Sequence, residues 1–190
     1  YQLSSIPNEH NLGDRQNYSR FYPRRLPAEI LLDGINTVTN AKEKFNGQPQ
    51  GVRAVQLPDD QFTKESYFLS VFGRPDNASA CECERSGDAS LAQSLHLINS
   101  KDIQSKLTNG SSRASKLAAN KELTDEEKVS ELYYVALARA PKAEELKMAV
   151  DYVNREVEDD KGNKKAVDKK QAYEDVVWAL FNTKEFLFNL

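Results

Sequence analysis

Apolar residues recur every three or four positions along most of the chain, the spacing of an α-helix with one buried face. Pro27 opens the first such stretch, and Ile30, Leu31, Ile35 and Val38 predict a helix running to about Asn40. Gly47, Pro49 and Gly51 then break the chain, and Val52 to Leu57 reads as one short strand ended by Pro58. Thr63 to Phe72 predicts a short helix that stops at Gly73. Arg74 to Asp88 is loop-like. Ser90 and Gln93 form a capping box ahead of Leu91, Leu95 and Ile98, and a shorter helical piece with Ile103 and Leu107 breaks at Asn109-Gly110.

The pattern is clearest in the C-terminal third, residues 124–190, which reads as a three-helix subregion. Thr124 and Glu127 form a second capping box before Val129, Leu132, Tyr133, Ala136 and Leu137. Pro141 ends that helix and allows a turn into another bearing Leu146, Val150, Val153 and Val157. Asp159 to Asp168 is a charged linker. A last helix puts Tyr173, Val176, Val177, Leu180 and Phe181 on one face, followed by Phe186 and Phe188. Three amphipathic helices on short links bury their stripes against one another. The expected class is therefore all-α, a helical bundle with long loops and at most one short strand or hairpin, preceded by a polar surface segment over residues 1–21.

Composition narrows this picture. The 190 residues suit a single domain whose core needs no disulfide framework or metal to hold it. Residues 1–58 carry +2 and residues 59–190 carry −5, so neither part has the excess of positive charge that accompanies nucleic-acid binding. No apolar run reaches the length of a membrane span. The chain opens at Tyr1, as expected of a processed product or an expressed piece.

Several blocks resemble one known family. Phe21-Tyr22-Pro23-Arg24-Arg25-Leu26-Pro27-Ala28-Glu29 and Ala54-Val55-Gln56-Leu57-Pro58 are similar to the signature of the planctomycete domain of unknown function numbered fifteen fifty-three. So are Phe72-Gly73-Arg74-Pro75, Cys81-Glu82-Cys83-Glu84-Arg85, Leu91 to Asn99 and Lys184 to Asn189, in the family's order. The resemblance implies the C-terminal part of a larger domain and an exported multidomain parent, often with cytochrome-c-like domains. It also implies a periplasmic or envelope location. It implies no activity. The C-x-x-C-H pattern for covalent haem is absent from the chain.

Three constellations bear on chemistry. Cys81 and Cys83, with His96 as a third ligand and Glu84 as general base on a bound water, would make a zinc-like centre. Two cysteines one residue apart would also form a strained, reducible local disulfide. The simplest reading is two buried structural thiols with the flanking acids in local ion pairs, and the spacing favours it. His96 on an apolar helix reads more readily as a histidine bonded to a carbonyl or carboxylate than as a ligand. The Tyr18, Arg20, Phe21, Tyr22, Arg24, Arg25 cluster would stack on bases or sugars or clamp a carboxylate. The plainer expectation pairs Arg24 and Arg25 with Glu29 or Asp33. Asp159, Asp160, Asn163 and Asp168 lack the glycine and closing glutamate of a calcium loop.

With no complete catalytic set, the sequence favours a structural or protein-interaction module whose partners are other domains of the same parent protein. No cofactor is expected on this reading. The alternatives are a metal- or thiol-dependent enzyme or redox accessory centred on Cys81, Cys83 and His96, and a carbohydrate-binding module using Tyr22, Arg24 and Arg25.

Overall fold

The computed structural model describes residues 3–14, 16–58, 66–75, 91–158 and 164–189. Two helices organise them: α1 (Ala28–Thr39) near the start and α8 (Lys169–Phe181) near the end. Between them lie α2 (Tyr67–Val71), α3 (Leu91–Asn99), α4 (Lys101–Thr108), α5 (Arg113–Ala119), α6 (Asp125–Leu137) and α7 (Ala143–Val153), and α9 (Lys184–Leu187) follows. Helix α1 packs against α2, α4, α5 and α6, whereas α8 runs along α5 and also meets α4, α6 and α7. The fold is mostly helical, as the periodicity predicts.

The core is one cluster. Leu31, Leu32, Ile35 and Val38 of α1 meet Val129 and Leu132 of α6, Val153 of α7, and Tyr173, Val177, Leu180 and Phe181 of α8. Fully burying each such side chain contributes about 1.5–3 kcal/mol. Ile30 belongs to the expected stripe but stands 46% exposed, and Leu32 takes its place. Ile98 is likewise exposed while Leu97 is buried. In both runs two or three apolar residues are adjacent, so the pattern fixes the helix but not its rotation about its axis.

Caps explain where the helices start. Ser66, Ser100, Ser112, Thr124, Asp168 and Thr183 each accept a hydrogen bond from a backbone N–H in the first turn that follows. The box at Thr124 closes in both directions: Glu127 N–H donates to Thr124 Oγ1 at 3.2 Å, and Thr124 N–H donates to Glu127 Oε2 at 2.8 Å. Helix α5, capped by Ser112, has no counterpart in the sequence reading, since its apolar positions are mostly alanine.

Several expectations need correction. Val52 to Leu57 is not a strand; Ala54–Gln56 forms a single 3₁₀ turn. Asp33 of α1 explains it, because Oδ1 accepts from Ala54 N–H at 2.7 Å and Oδ2 from Val55 N–H at 3.1 Å. Helix α6 ends before Pro141: Ala138 adopts the left-handed conformation at φ 56° and terminates it. Val157 does not extend α7. It lies in β2 (Glu156–Glu158), which pairs antiparallel with β3 (Lys164–Ala166) in a hairpin where a plain linker is expected. A second pairing joins distant parts of the chain: β1 (Arg24–Arg25) pairs antiparallel with β4 (Phe188–Asn189). Phe186 then lies on α1 at Gly34, where a Cβ would come within 3.4 Å of its ring.

Candidate functional site

Two openings combine distinctive chemistry with a defined framework. The first is a polar and aromatic cleft beside the C-terminal end of α1. Asn40 caps that helix in the left-handed conformation at φ 59°, and Ala41 N–H donates to Asn36 O at 2.9 Å, so the chain turns back across the helix end. This turn presents Glu43 to α4 and buries Phe45 beneath it. Helix α4, capped by Ser100, carries Asp102 and Lys106 one turn apart on one face. Lys106 is buried, and its Nζ lies 2.5 Å from Glu43 Oε2 and 3.0 Å from Asp102 Oδ2. Asn36 Nδ2 donates to Glu43 at 3.4 Å.

Two cavities share the wall made by Glu43, Lys44 and Asp102. One, of about 650 Å³, is rimmed by Lys42, Ser105, Asn109 and Ser111. The other, of about 290 Å³, is lined by Phe45, Ser66, Tyr67, Phe68 and His96. Tyr67 is 67% exposed, and its ring stands edge-on to His96 with centroids 5.1 Å apart.

His96 sits inside an aromatic box, with Phe68 at 5.6 Å and Phe72 at 6.3 Å on its other sides. Its Nε2 is buried and has no hydrogen-bond partner among the described residues, so the expected bond to a carbonyl or carboxylate is not seen at this nitrogen. Burial depresses its pKa; Asp102 opposes this and Lys106 adds to it. His96 is therefore neutral at pH 7. Cys81, Cys83 and Glu84 lie outside the described residues, so the candidate metal or thiol centre is represented by His96 alone. Among the described residues no three His, Cys, Asp or Glu side chains converge closely enough to hold a metal ion.

The basic–aromatic cluster is tied inward. The Arg20 guanidinium lies 4.5 Å from the Tyr22 ring centroid, and the Tyr22 hydroxyl donates to the Asp14 carbonyl. Arg25 Nη2 donates to Phe72 O at 2.9 Å and sits over that ring at 5.6 Å, whereas Arg24 stands exposed in β1. The acids expected to pair with these arginines have other partners. Glu29 meets Arg74 at 3.4 Å, and Asp33 holds the 3₁₀ turn. Of Asp159, Asp160, Asn163 and Asp168, only Asp168 is described, and it caps α8 by accepting from Lys170 N–H at 3.0 Å.

The second opening is an apolar groove of about 550 Å³ between α7 and α8, floored by α6. Met148, Ala149 and Tyr152 form one bank and Val176, Trp178 and Ala179 the other, with Tyr133 at the base. Met148 is 73% exposed. The charges around it mostly join helices to one another. Arg139 forks to both oxygens of Glu145 at 2.8 and 3.0 Å, and to both of Glu185 at 2.6 and 2.7 Å. The Tyr152 hydroxyl donates to Asp175 at 2.7 Å, and Arg155 stacks on the Tyr152 ring at 3.5 Å. Glu144 stays free at the rim among the described residues, as the groove's lining carries acids and no base.

Sequence reasoning did not single out either opening. The Asp102–Lys106 pair is readable from its four-residue spacing, but Glu43 joins it only through the turn after Asn40. Met148 and Trp178 fall outside the buried stripes of their helices, which was the available signal for the groove.

Among the described residues no helix is long and apolar enough to cross a membrane. The family model described as PSD1, protein of unknown function (DUF1553), matches residues 1–153. No curated protein and no solved structure shows significant similarity to the chain.

Proposed function

The chain belongs to the PSD1 (DUF1553) family of proteins of unknown function, and from that premise we propose a non-catalytic, protein-interacting module of a larger exported multidomain protein. The parent is of the planctomycete type, with cytochrome-c-like domains alongside, and works in the periplasm or cell envelope. The observation that supports the reading is the groove between α7 and α8. An apolar trough between two helices marks a place where another protein segment is received. Its occupant is an amphipathic helix from another domain of the parent. A helix fits because the trough is bounded by two helices, and methionine on its bank adapts to varied apolar anchors. Glu144, exposed at the rim, suits a lysine or arginine beside those anchors.

Replacing Met148 with a photo-crosslinking amino acid in the full-length parent protein tests this directly. The reading requires a crosslink to a helical segment with basic flanks in another domain. Crosslinks confined to this chain itself overturn it.

A second reading rests on His96 Nε2, buried and without a hydrogen-bond partner among the described residues. It makes Cys81, Cys83 and His96 a zinc or thiol centre, with Glu84 beside it as general base. Elemental analysis of protein purified without a metal-chelating tag, with thiol titration, decides: bound metal or two reactive thiols favours it, and metal-free protein with unreactive thiols removes it.

A further inference from the structure

We infer that the cleft around Glu43, Lys106 and Asp102 is a carbohydrate-binding site for an acidic saccharide, one bearing carboxylate groups on its rings. The inference is independent of the groove between α7 and α8 and uses none of its residues.

Three features of the cleft correspond to three parts of such a ligand. A sugar ring presents an apolar face of C–H groups that packs on an exposed aromatic ring. Tyr67 offers one: it is 67% exposed and lines the smaller cavity, and its contact with His96 at 5.1 Å restrains the ring. The ring is held before a ligand arrives, so little side-chain freedom is lost on binding. Sugar hydroxyls are both donors and acceptors and need a mixed, fixed array opposite them. Glu43 and Asp102 provide acceptors, and the buried Lys106 ammonium between them, at 2.5 and 3.0 Å, locks their positions. The ligand's charge is set by what is left over. Both carboxylates are neutralised in part by Lys106, whereas Lys42 and Lys44 stand exposed at the rim with no carboxylate partner among the described residues. Among the described residues lining the two cavities, three lysines stand against two carboxylates, so the net charge there is positive and attracts an anion. The larger cavity, about 650 Å³, is within the size range of ligand pockets, and the smaller one lies across the shared wall of Glu43, Lys44 and Asp102, so neighbouring rings of one chain have a place on either side of it.

Isothermal calorimetry with a tetramer of galacturonic acid tests the site, with maltotetraose as the uncharged control. The inference requires that the uronate oligomer binds and that Tyr67→Ala weakens it about tenfold or more. Tyr67 is exposed, so that variant keeps its core, and its unfolding transition serves as the check. Lys44→Glu should weaken the uronate several-fold and leave the weak neutral control unmoved, while Lys147→Glu, exposed on α7 and outside both cavities, changes neither. No binding of the uronate at about 5 mM overturns the inference. So does equal binding of maltotetraose, or unaltered uronate affinity in a folded Tyr67→Ala protein.

Discussion

The C-terminal helices and the cleft beside α1 use charged residues in opposite ways. In the region from α6 to α9 the ionic groups fasten helix to helix. Asp125 at the start of α6 takes hydrogen bonds from Tyr173 at 2.6 Å and Lys169 at 2.7 Å on α8. Arg139 bridges the ends of α6, α7 and α9 through Glu145 and Glu185. With these charges engaged, what remains open is apolar. At the cleft the order is reversed: the apolar contacts close underneath, and a buried lysine with two carboxylates faces the opening. The difference shows that where charge ends up, more than how much there is, decides what kind of partner a surface can receive. One face suits a greasy helix, the other a polar chain.

The largest effect that could break this comparison is loss of the shared core. Phe181→Ala removes a buried ring packed on Phe186 at 5.0 Å and should cost about 3–5 kcal/mol, read by denaturant unfolding. Both regions should be lost in one transition, since α8 packs against α4 and α6 alike. Two separate transitions would show the regions to be independent.

Next is the ionic fastening. Asp125→Ala should cost about 1–3 kcal/mol, because it leaves the hydroxyl of buried Tyr173 without its acceptor. Burial pushes the Asp125 carboxyl up, but hydrogen bonds from Lys169, Tyr173 and Asn154 more than offset it and hold it at about 2, below its ordinary 3.8. A carboxylate depressed in the folded state stabilises above its unfolded pKa and loses that contribution as pH falls through the folded one. The advantage of the wild type over Asp125→Asn should therefore be full above pH about 4 and fade towards pH 2. A constant difference across that window would contradict the assignment.

A smaller effect sharpens the picture on the α1 side. Asp33→Ala should cost about 1–3 kcal/mol by leaving the N–H groups of Ala54 and Val55 without their acceptor. Faster amide exchange at those two residues is the direct readout. Smallest, and opposite in sign, Ala138→Gly should raise stability by about 0.5–1 kcal/mol, since φ 56° suits glycine better than alanine. An unchanged or lower melting temperature would count against the helix ending there.

Much of the helical framework was legible in the residues, and the reason is physical. Thr124 with Glu127 marks a helix start by local hydrogen bonds alone, and the stripe from Tyr173 to Phe181 is buried as its spacing requires. Features set by distant partners were not legible. The 3₁₀ turn at Ala54 depends on Asp33, twenty-one positions earlier. Helix α5 hides because alanine carries little pattern. The hairpin of β2 and β3 is charged and exposed on both strands, so no alternation announces it. The cleft assembles from Glu43, Ser66, His96 and Lys106, which only the tertiary fold brings to one place. The cysteine pair, the most specific chemical signal in the sequence, falls outside the described residues.

Amide hydrogen exchange, compared between this chain alone and the proposed multidomain parent, tests the central claim most directly. Docking in the groove requires extra protection in the parent over Ala143–Val153 and Lys169–Phe181, with residues 40–45 at the cleft unchanged. Equal exchange of those two helices in both proteins would contradict it.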